Sequence, residues 1–186
     1  MTSTKIIEVG GHKIECTNLD KIFFPHSRIR KEDVIMYYQE ISSIALPFYE
    51  DYPLTMLRCP DGINGEIFIQ KETPSYFPKW IDRHKILLKE KSLTQTIVNH
   101  EATFVYLANQ ACLTFHLSLS KIDKIKYPNY LIFDLDPSSD DLPLLKNVIN
   151  RVKALLDHLN VKAFIKTTGS RGFHIYVSLH TERGCS

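Results

Sequence analysis

The feature that most constrains this chain is a short apolar run that ends in two aspartates, at residues 131–137. Successive residues of a β-strand point to opposite faces, so a strand here would present Asp134 and Asp136 on one side. Mg²⁺ and Mn²⁺ prefer carboxylate oxygens, often together with the phosphates of a nucleotide. The run therefore predicts a strand that ends at a metal-dependent phosphoryl- or nucleotidyl-transfer site. A solvated strand end or a turn can carry the same pair of aspartates.

The region around these aspartates has a regular order of predicted elements. Hydrophobic spacing predicts a strand over residues 130–135, a helix over 144–159, and strands over 161–167 and 173–179. This strand, helix, strand, strand order predicts a mixed α+β domain whose sheet presents the carboxylates at one edge of a cleft.

The preceding residues predict further elements of both kinds. No repeat, low-complexity tract or linker interrupts the chain, so we expect one compact domain over residues 1–186. The predicted elements are a short N-terminal strand, a helix over residues 31–46 ended by Pro47, a hairpin of strands 54–58 and 66–70, a helix over 101–112 and a strand over 113–117.

Composition narrows the class of protein. The 186 residues are 44% hydrophobic, enough for a sizeable core, and the net charge of +2 requires any nucleic-acid contact to come from a local basic cluster. No apolar run is long enough to be a signal sequence or a membrane span, so we expect a soluble, cytoplasmic protein. The cysteines lack zinc spacing and indicate structural thiols in a reducing compartment. They are Cys16, Cys59, Cys112 and Cys185.

A second informative segment, residues 166–174, is a turn with two glycines that leads into a strand. Its side chains Ser170, Arg171 and His174 supply hydroxyl, guanidinium and imidazole donors, and the backbone of such turns binds anions. This set of donors suits a triphosphate. A hairpin turn with a surface arginine and a core histidine has the same pattern. Because the segment follows the two aspartates in the same chain, we favour a nucleotide-binding turn.

The two segments together resemble the first two motifs of the archaeo-eukaryotic primase superfamily. More narrowly, they resemble the polymerase domain of bacterial ATP-dependent DNA ligase D, which acts in non-homologous end joining. This resemblance implies a primase-polymerase fold of mixed sheets flanked by helices around a central cleft. Further similar segments are residues 19–25, 31–34, 37–38, 53–55, 58–63, 70–71, 76–81, 107–110 and 115–116.

The resemblance implies roles for residues of the chemical site. Asp134 and Asp136 would be catalytic and hold Mn²⁺ or Mg²⁺. Nucleotide phosphates would be bound by Ser170, Arg171 and His174, with Thr168 nearby. Arg171 stands where the family usually has lysine, which preserves the charge.

His116 matches a histidine that the family places near the nucleotide. The next residues, Leu117 and Ser118, differ from the family's usual Pro-Trp. A packed histidine at the end of a strand is the alternative for His116.

The resemblance also assigns residues to DNA. Asn18, Lys21 and Lys31 match positions that bind the 5′-phosphate beyond a gap or break, without sequence preference. Phe68 matches an aromatic that stacks on the template, and Lys71 lies beside it. Solvated surface lysines and a core phenylalanine are the alternatives.

The family completes its metal site with a third aspartate on a later strand. Glu182 is the one acidic residue after His174, and it follows the strand too closely to be that ligand. We therefore expect the chain to be the N-terminal two-thirds of a larger domain, truncated at its C-terminus. The alternative is that a second chain supplies the rest of the site.

The implied function is template-dependent nucleotidyl transfer that fills gaps and extends ends, with a preference for ribonucleotides and Mn²⁺. The implied partners are nucleoside triphosphates, DNA with a 5′-phosphate at a gap or break, a DNA ligase domain and Ku. Two alternatives are a catalytically incomplete module that binds 5′-phosphorylated ends and a standalone primase of plasmid or phage type.

Overall fold

The computed structural model describes residues 3–87, 91–138 and 141–179. The chain divides into two compact units, residues 1–123 and 124–186, and each is described by itself. The expectation of one domain over residues 1–186 therefore stays a prediction. Glu182 and Cys185, on which two expectations rest, lie outside the described residues.

The first unit combines small antiparallel sheets with two helices. Strand β5 is antiparallel to β6, β8 and β9, and β8 is antiparallel to β7, while β1 pairs with β2 and β3 with β4. The elements are β1 (Thr4–Val9), β2 (His12–Thr17), β3 (Ile22–Phe24), β4 (Ile29–Arg30), α1 (Lys31–Tyr49), β5 (Pro53–Arg58), β6 (Phe68–Gln70), β7 (Arg83–Leu87), β8 (Ser92–Ile97), α2 (Glu101–Asn109) and β9 (Cys112–Leu117). A short 3₁₀ helix, Ile122–Lys124, follows.

Helix α2 lies at the centre of this unit. Seven of its nine residues are buried, which is typical of a helix that is apolar on all sides. Its residues Ala102, Val105 and Ala108 pack in the cluster formed by the β1–β2 hairpin and α1, whereas Phe104 and Leu107 pack against β5 and β9. The helix thus joins the N-terminal hairpin to the larger sheet.

The ends of both predicted helices in this unit were wrong. Helix α1 continues through Pro47 to Tyr49, because a proline in the last turn removes only one hydrogen bond, and the Glu50 N–H donates to the Leu46 carbonyl at 3.1 Å. Helix α2 ends at Asn109 rather than at residue 112. Ala111 has a left-handed φ of 60°, which stops the helix before β9 begins.

The second unit has the predicted element order. Its elements are β10 (Tyr130–Leu135), α3 (Leu142–His158), β11 (Ala163–Thr167) and β12 (Phe173–Ser178). The sheet order is β10-β12-β11, with β12 antiparallel to both neighbours. The Asp141 carboxylate caps α3 by accepting from the Leu144 N–H at 2.9 Å, and Pro143 lies in the first turn.

Helix α3 covers one face of this three-stranded sheet. Leu156 of the helix is buried with Ile175 and Val177 of β12, and Phe133 of β10 packs against them. Because strand side chains alternate, Asp134 and His174 belong to the opposite face. The described parts of the two units together contain several small sheets and three α-helices, and the α+β prediction is confirmed. None of the helices described is long and apolar enough to cross a membrane.

Candidate nucleotide and metal site

The two aspartates lie where β10 ends. Asp134 is the cross-strand partner of His174, and its Oδ1 lies 3.3 Å from His174 Nε2. The Asp134 side chain is 64% exposed and that of His174 is 28% exposed. Asp136 follows the strand by one residue and lines a crevice with Asp134 and with Leu144 and Leu145 of α3. The structure therefore brings both carboxylates and the imidazole together.

Gly172 permits the turn before β12 to approach Asp136 closely. A Cβ on this buried residue would lie 2.5 Å from Asp136 Oδ1 and 2.5 Å from the Leu135 carbonyl oxygen. No side chain fits at those distances, so only glycine allows this packing. The sequence pattern contained the glycine, but the approach became evident only in the structure.

Thr168 closes the turn that carries Ser170 and Arg171. Its Oγ1 accepts from the Gly172 N–H at 3.1 Å and from the Ser170 N–H at 3.3 Å, and it donates to the Gly172 carbonyl at 3.2 Å. Gly169 supplies the left-handed φ of 82° that the turn requires. Ser170 and Arg171 are therefore exposed at the tip, while the Thr168 hydroxyl is engaged inside the turn. A role for Thr168 at the nucleotide stays a prediction.

The donor set at Asp134 and Asp136 fits a hard divalent cation. Both are exposed carboxylates, and Mg²⁺ in particular is commonly held by one or two carboxylates together with substrate phosphates. Across residues 3–87, 91–138 and 141–179, no group of three or more His, Cys, Asp or Glu is placed to hold a metal. Among the described residues, Asp134 and Asp136 are thus the carboxylates that the structure offers to a metal at this site.

In the first unit, Asn18, Lys21 and Lys31 come together between β2 and α1. The Lys31 N–H donates to the Lys21 carbonyl at 2.8 Å, and Lys31 Nζ donates to the Thr17 carbonyl at 2.7 Å. Lys21 pairs with Asp61, and Asn18 is exposed with a left-handed φ of 54°.

Lys31 is buried, unlike an ordinary surface lysine. Burial lowers its pKa to about 8, an effect that nearby Cys16 opposes and Lys21 reinforces. The side chain therefore approaches neutrality in a pH range that is experimentally accessible.

The remaining predicted residues lie on the larger sheet of the first unit. Phe68 is 44% exposed on β6, so it is not a core residue. Lys71 and His116 line one open groove, together with Thr55 and Lys91. His116 is exposed, which rules out a packed histidine at this position.

Arg58 was not identified from the sequence. Its guanidinium donates to the Gln110 carbonyl at 2.8 Å, to Gln70 Oε1 at 2.8 Å and to Tyr76 Oη at 2.9 Å. It thereby ties β6, the strand that carries Phe68, to the end of α2. The available signal was a charged residue at the end of a mostly apolar strand, β5.

Comparison with known proteins identifies the family. Residues 30–185 match the family model described as LigD, primase-polymerase domain. The chain is 33% identical over 171 residues to the bifunctional non-homologous end joining protein LigD of Bacillus subtilis, covering 91% of the chain and 27% of that protein. It is 31% identical over 170 residues to the multifunctional LigD of Mycolicibacterium smegmatis, covering 90% of the chain and 22% of that protein. The chain thus spans about a quarter of the length of these relatives.

A solved structure has the same fold. The polymerase domain of Mycobacterium tuberculosis ligase D, in complex with DNA, is similar with a TM-score of 0.81 and 26% identity. The match covers 90% of this chain and 61% of that one. The primase-polymerase fold and the resemblance found from the sequence are both confirmed. The chain belongs to the LigD primase-polymerase family.

Proposed function

We propose that this chain catalyses template-dependent nucleotidyl transfer, filling gaps and extending ends during bacterial non-homologous end joining. The observation that carries the proposal is the packing of Gly172 against Asp136, which sets two exposed carboxylates beside the turn that presents Ser170 and Arg171. Family membership supports the same chemistry, and the solved relative is a polymerase domain bound to DNA.

Asp134 and Asp136 would hold Mn²⁺ or Mg²⁺, which when bound neutralises phosphate charge and favours attack by a primer 3′-hydroxyl. Arg171 presents a planar fork of donors to phosphate oxygens, and Ser170 adds a hydroxyl donor. His174 keeps Asp134 in place through the 3.3 Å contact and can donate to a phosphate beside it. His116 and Thr168 are further proposed nucleotide contacts.

We assign DNA recognition to the first unit. Asn18, Lys21 and Lys31 would bind the 5′-phosphate at a gap or break, because they lie close together and two of them are cationic. Exposed Phe68 would stack on a template base, with Lys71 near the backbone. Nucleoside triphosphates, a ligase domain and Ku are the proposed partners, and ribonucleotides the proposed preferred substrates.

The test is Mn²⁺-dependent addition of ribonucleotides by the 186-residue chain to a gapped duplex, with and without the downstream 5′-phosphate. We expect addition that the phosphate stimulates. A matched duplex with a downstream 5′-hydroxyl is the control for the phosphate, and Mg²⁺ and EDTA samples test the metal.

Other outcomes identify the alternatives. Phosphate-dependent binding without any addition would contradict the polymerase proposal and indicate a module that recognises broken ends. Starting of new chains on single strands, without stimulation by the 5′-phosphate, would instead indicate a standalone primase.

A further inference from the structure

A row of three polar side chains crosses the sheet of the second unit. In the strand register, Asp134 of β10 is opposite His174 of β12, and His174 is in turn opposite Lys166 of β11. Residues directly opposite in an antiparallel sheet share a face. Carboxylate, imidazole and ammonium groups therefore follow one another on the face that α3 leaves open.

Lys166 is held in this row by an aromatic neighbour. Its Nζ donates to Tyr176 Oη at 3.2 Å and lies 5.0 Å from the centre of the Tyr176 ring. Tyr176 is two residues beyond His174 on β12, so it lies on the same face. Lys166 itself is exposed and makes no ion pair with a carboxylate within the described ranges. Its charge is positioned but not neutralised by the residues around it.

We propose that Lys166 binds the terminal phosphates of the incoming nucleoside triphosphate. This inference rests on the function proposed above. Adjacent strands lie ~4.8 Å apart, so Lys166 is about 10 Å across the sheet from Asp134, with His174 between them. A triphosphate whose inner phosphates meet the metal at Asp134 and Asp136 extends along this row toward Lys166.

Charge balance supports the same assignment. A divalent cation at the two aspartates would offset their charge, so much of the triphosphate's negative charge is left for protein cations, of which the turn contributes Arg171. Lys166 is the next cation along the strand, and the ring of Tyr176 stabilises its position. A point charge that can rotate its donors suits the terminal phosphates, which present several oxygens.

The test compares ATP and AMP binding, measured by calorimetry with Mn²⁺, in the wild-type chain and in Lys166→Met. The substitution removes the charge but keeps most of the side-chain volume. We expect ATP affinity to fall about tenfold, since a hydrogen bond to a charged group is lost, and AMP affinity to change by less than about twofold. Lys166→Arg should retain ATP affinity within about threefold.

Lys162→Met is the matched control. Lys162 lies four residues earlier, its Nζ is 5.3 Å from the Phe164 ring, and it is outside the row. The Lys162→Met variant should bind ATP with the wild-type affinity. The assignment of Lys166 would be overturned if Lys166→Met bound ATP as tightly as the wild type, or if it lost affinity for ATP and AMP equally. Either result would leave the proposed function standing. Absence of Mn²⁺-dependent ATP binding by the wild-type chain would overturn the proposed function and this inference with it.

Discussion

At the scale of single residues, Gly172 is the glycine, among those that the structure describes, at which an added Cβ would approach its neighbours most closely. Its backbone lies against the Asp136 carboxylate and the Leu135 carbonyl, both of which a Cβ would meet at 2.5 Å. Any side chain must therefore displace either the turn or the carboxylate. The position of the proposed metal ligand Asp136 thus depends on the absence of a side chain from the turn before β12.

We predict that Gly172→Ala weakens Mn²⁺ binding and nucleotide addition while costing about 1–3 kcal/mol of stability, because the packed backbone must shift. Mn²⁺ titration and thermal unfolding measure the two effects. Gly169→Asn is the control, since Asn tolerates a left-handed φ and the space around Gly169 is open. Wild-type Mn²⁺ affinity in a folded Gly172→Ala variant would contradict the role given to this glycine.

The lowered pKa of Lys31 predicts that recognition of the 5′-phosphate depends on pH. Burial lowers this pKa to about 8, so the charge of Lys31 is present below that pH and is lost as the pH rises through it. We expect the preference for a 5′-phosphate over a 5′-hydroxyl on gapped DNA to decline between about pH 7 and pH 9. Affinities measured for both DNAs across this range provide the test. Lys31→Arg should remove the decline, because arginine stays charged.

The folding stability should change in the opposite direction. Between about pH 8 and the ordinary lysine pKa of 10.5, the unfolded chain holds a proton that folded Lys31 has lost. Stability contributed by this group therefore rises with pH in that window. A 5′-phosphate preference that declines only in step with unfolding would contradict the assignment to Lys31.

At the scale of elements, local patterns predicted the second unit better than the first. The strand at residues 130–135 matches β10, because a short apolar run and the following Asp-Pro determine it locally. Strands β7 and β8 were not predicted, since Arg83–Leu87 and Ser92–Ile97 are largely polar and are ordered by pairing with each other and with β5. The end of α2 depends on one left-handed residue, Ala111, which composition does not reveal.

The contacts of Arg58 with strand β6 predict a contribution to stability. The strand is only three residues long, and Arg58 anchors it through Gln70 and Tyr76. We predict that Arg58→Met lowers the free energy of unfolding by about 1–3 kcal/mol, because the partners of a half-buried charged donor are left unpaired. Denaturant unfolding measures the loss, and amide exchange in β6 should accelerate.

Arg30→Met is the matched control for this change. Its guanidinium makes an exposed ion pair with Asp20 at 3.6 Å, which should contribute less than about 1 kcal/mol. Equal stability losses in the two variants would show that the Arg58 network does not anchor β6.

At the scale of the whole molecule, the sequence was sufficient for the family and for the two motifs at the proposed site. The strand period predicted that Asp134 and Asp136 share one side, because that depends on one local segment. The position of His174 beside Asp134 depends on the pairing of β10 with β12, two strands that α3 and β11 separate in the sequence. The individual roles came from the resemblance, and they stay predictions. The engagement of Thr168 inside its turn and the Arg58 network depend on three-dimensional contacts that no local pattern carries.

We have assigned nucleotide addition to the second unit and recognition of the 5′-phosphate to the first, and one pair of variants tests both assignments. Asp134→Ala in the second unit should abolish nucleotide addition, since it removes a proposed metal ligand, while DNA affinity stays within about tenfold. Lys21→Ala in the first unit should reduce the preference for a 5′-phosphate while Mn²⁺ binding is unchanged. Asp157→Ala is the control, because Asp157 is an exposed carboxylate on α3 that pairs with Lys153. This variant should retain both nucleotide addition and the preference for a 5′-phosphate. Addition by Asp134→Ala at the wild-type rate would contradict the metal assignment, and loss of Mn²⁺ binding in Lys21→Ala would contradict the separation of tasks. Because each variant is measured for both binding and chemistry, a general loss of folding is distinguished from the loss of one role.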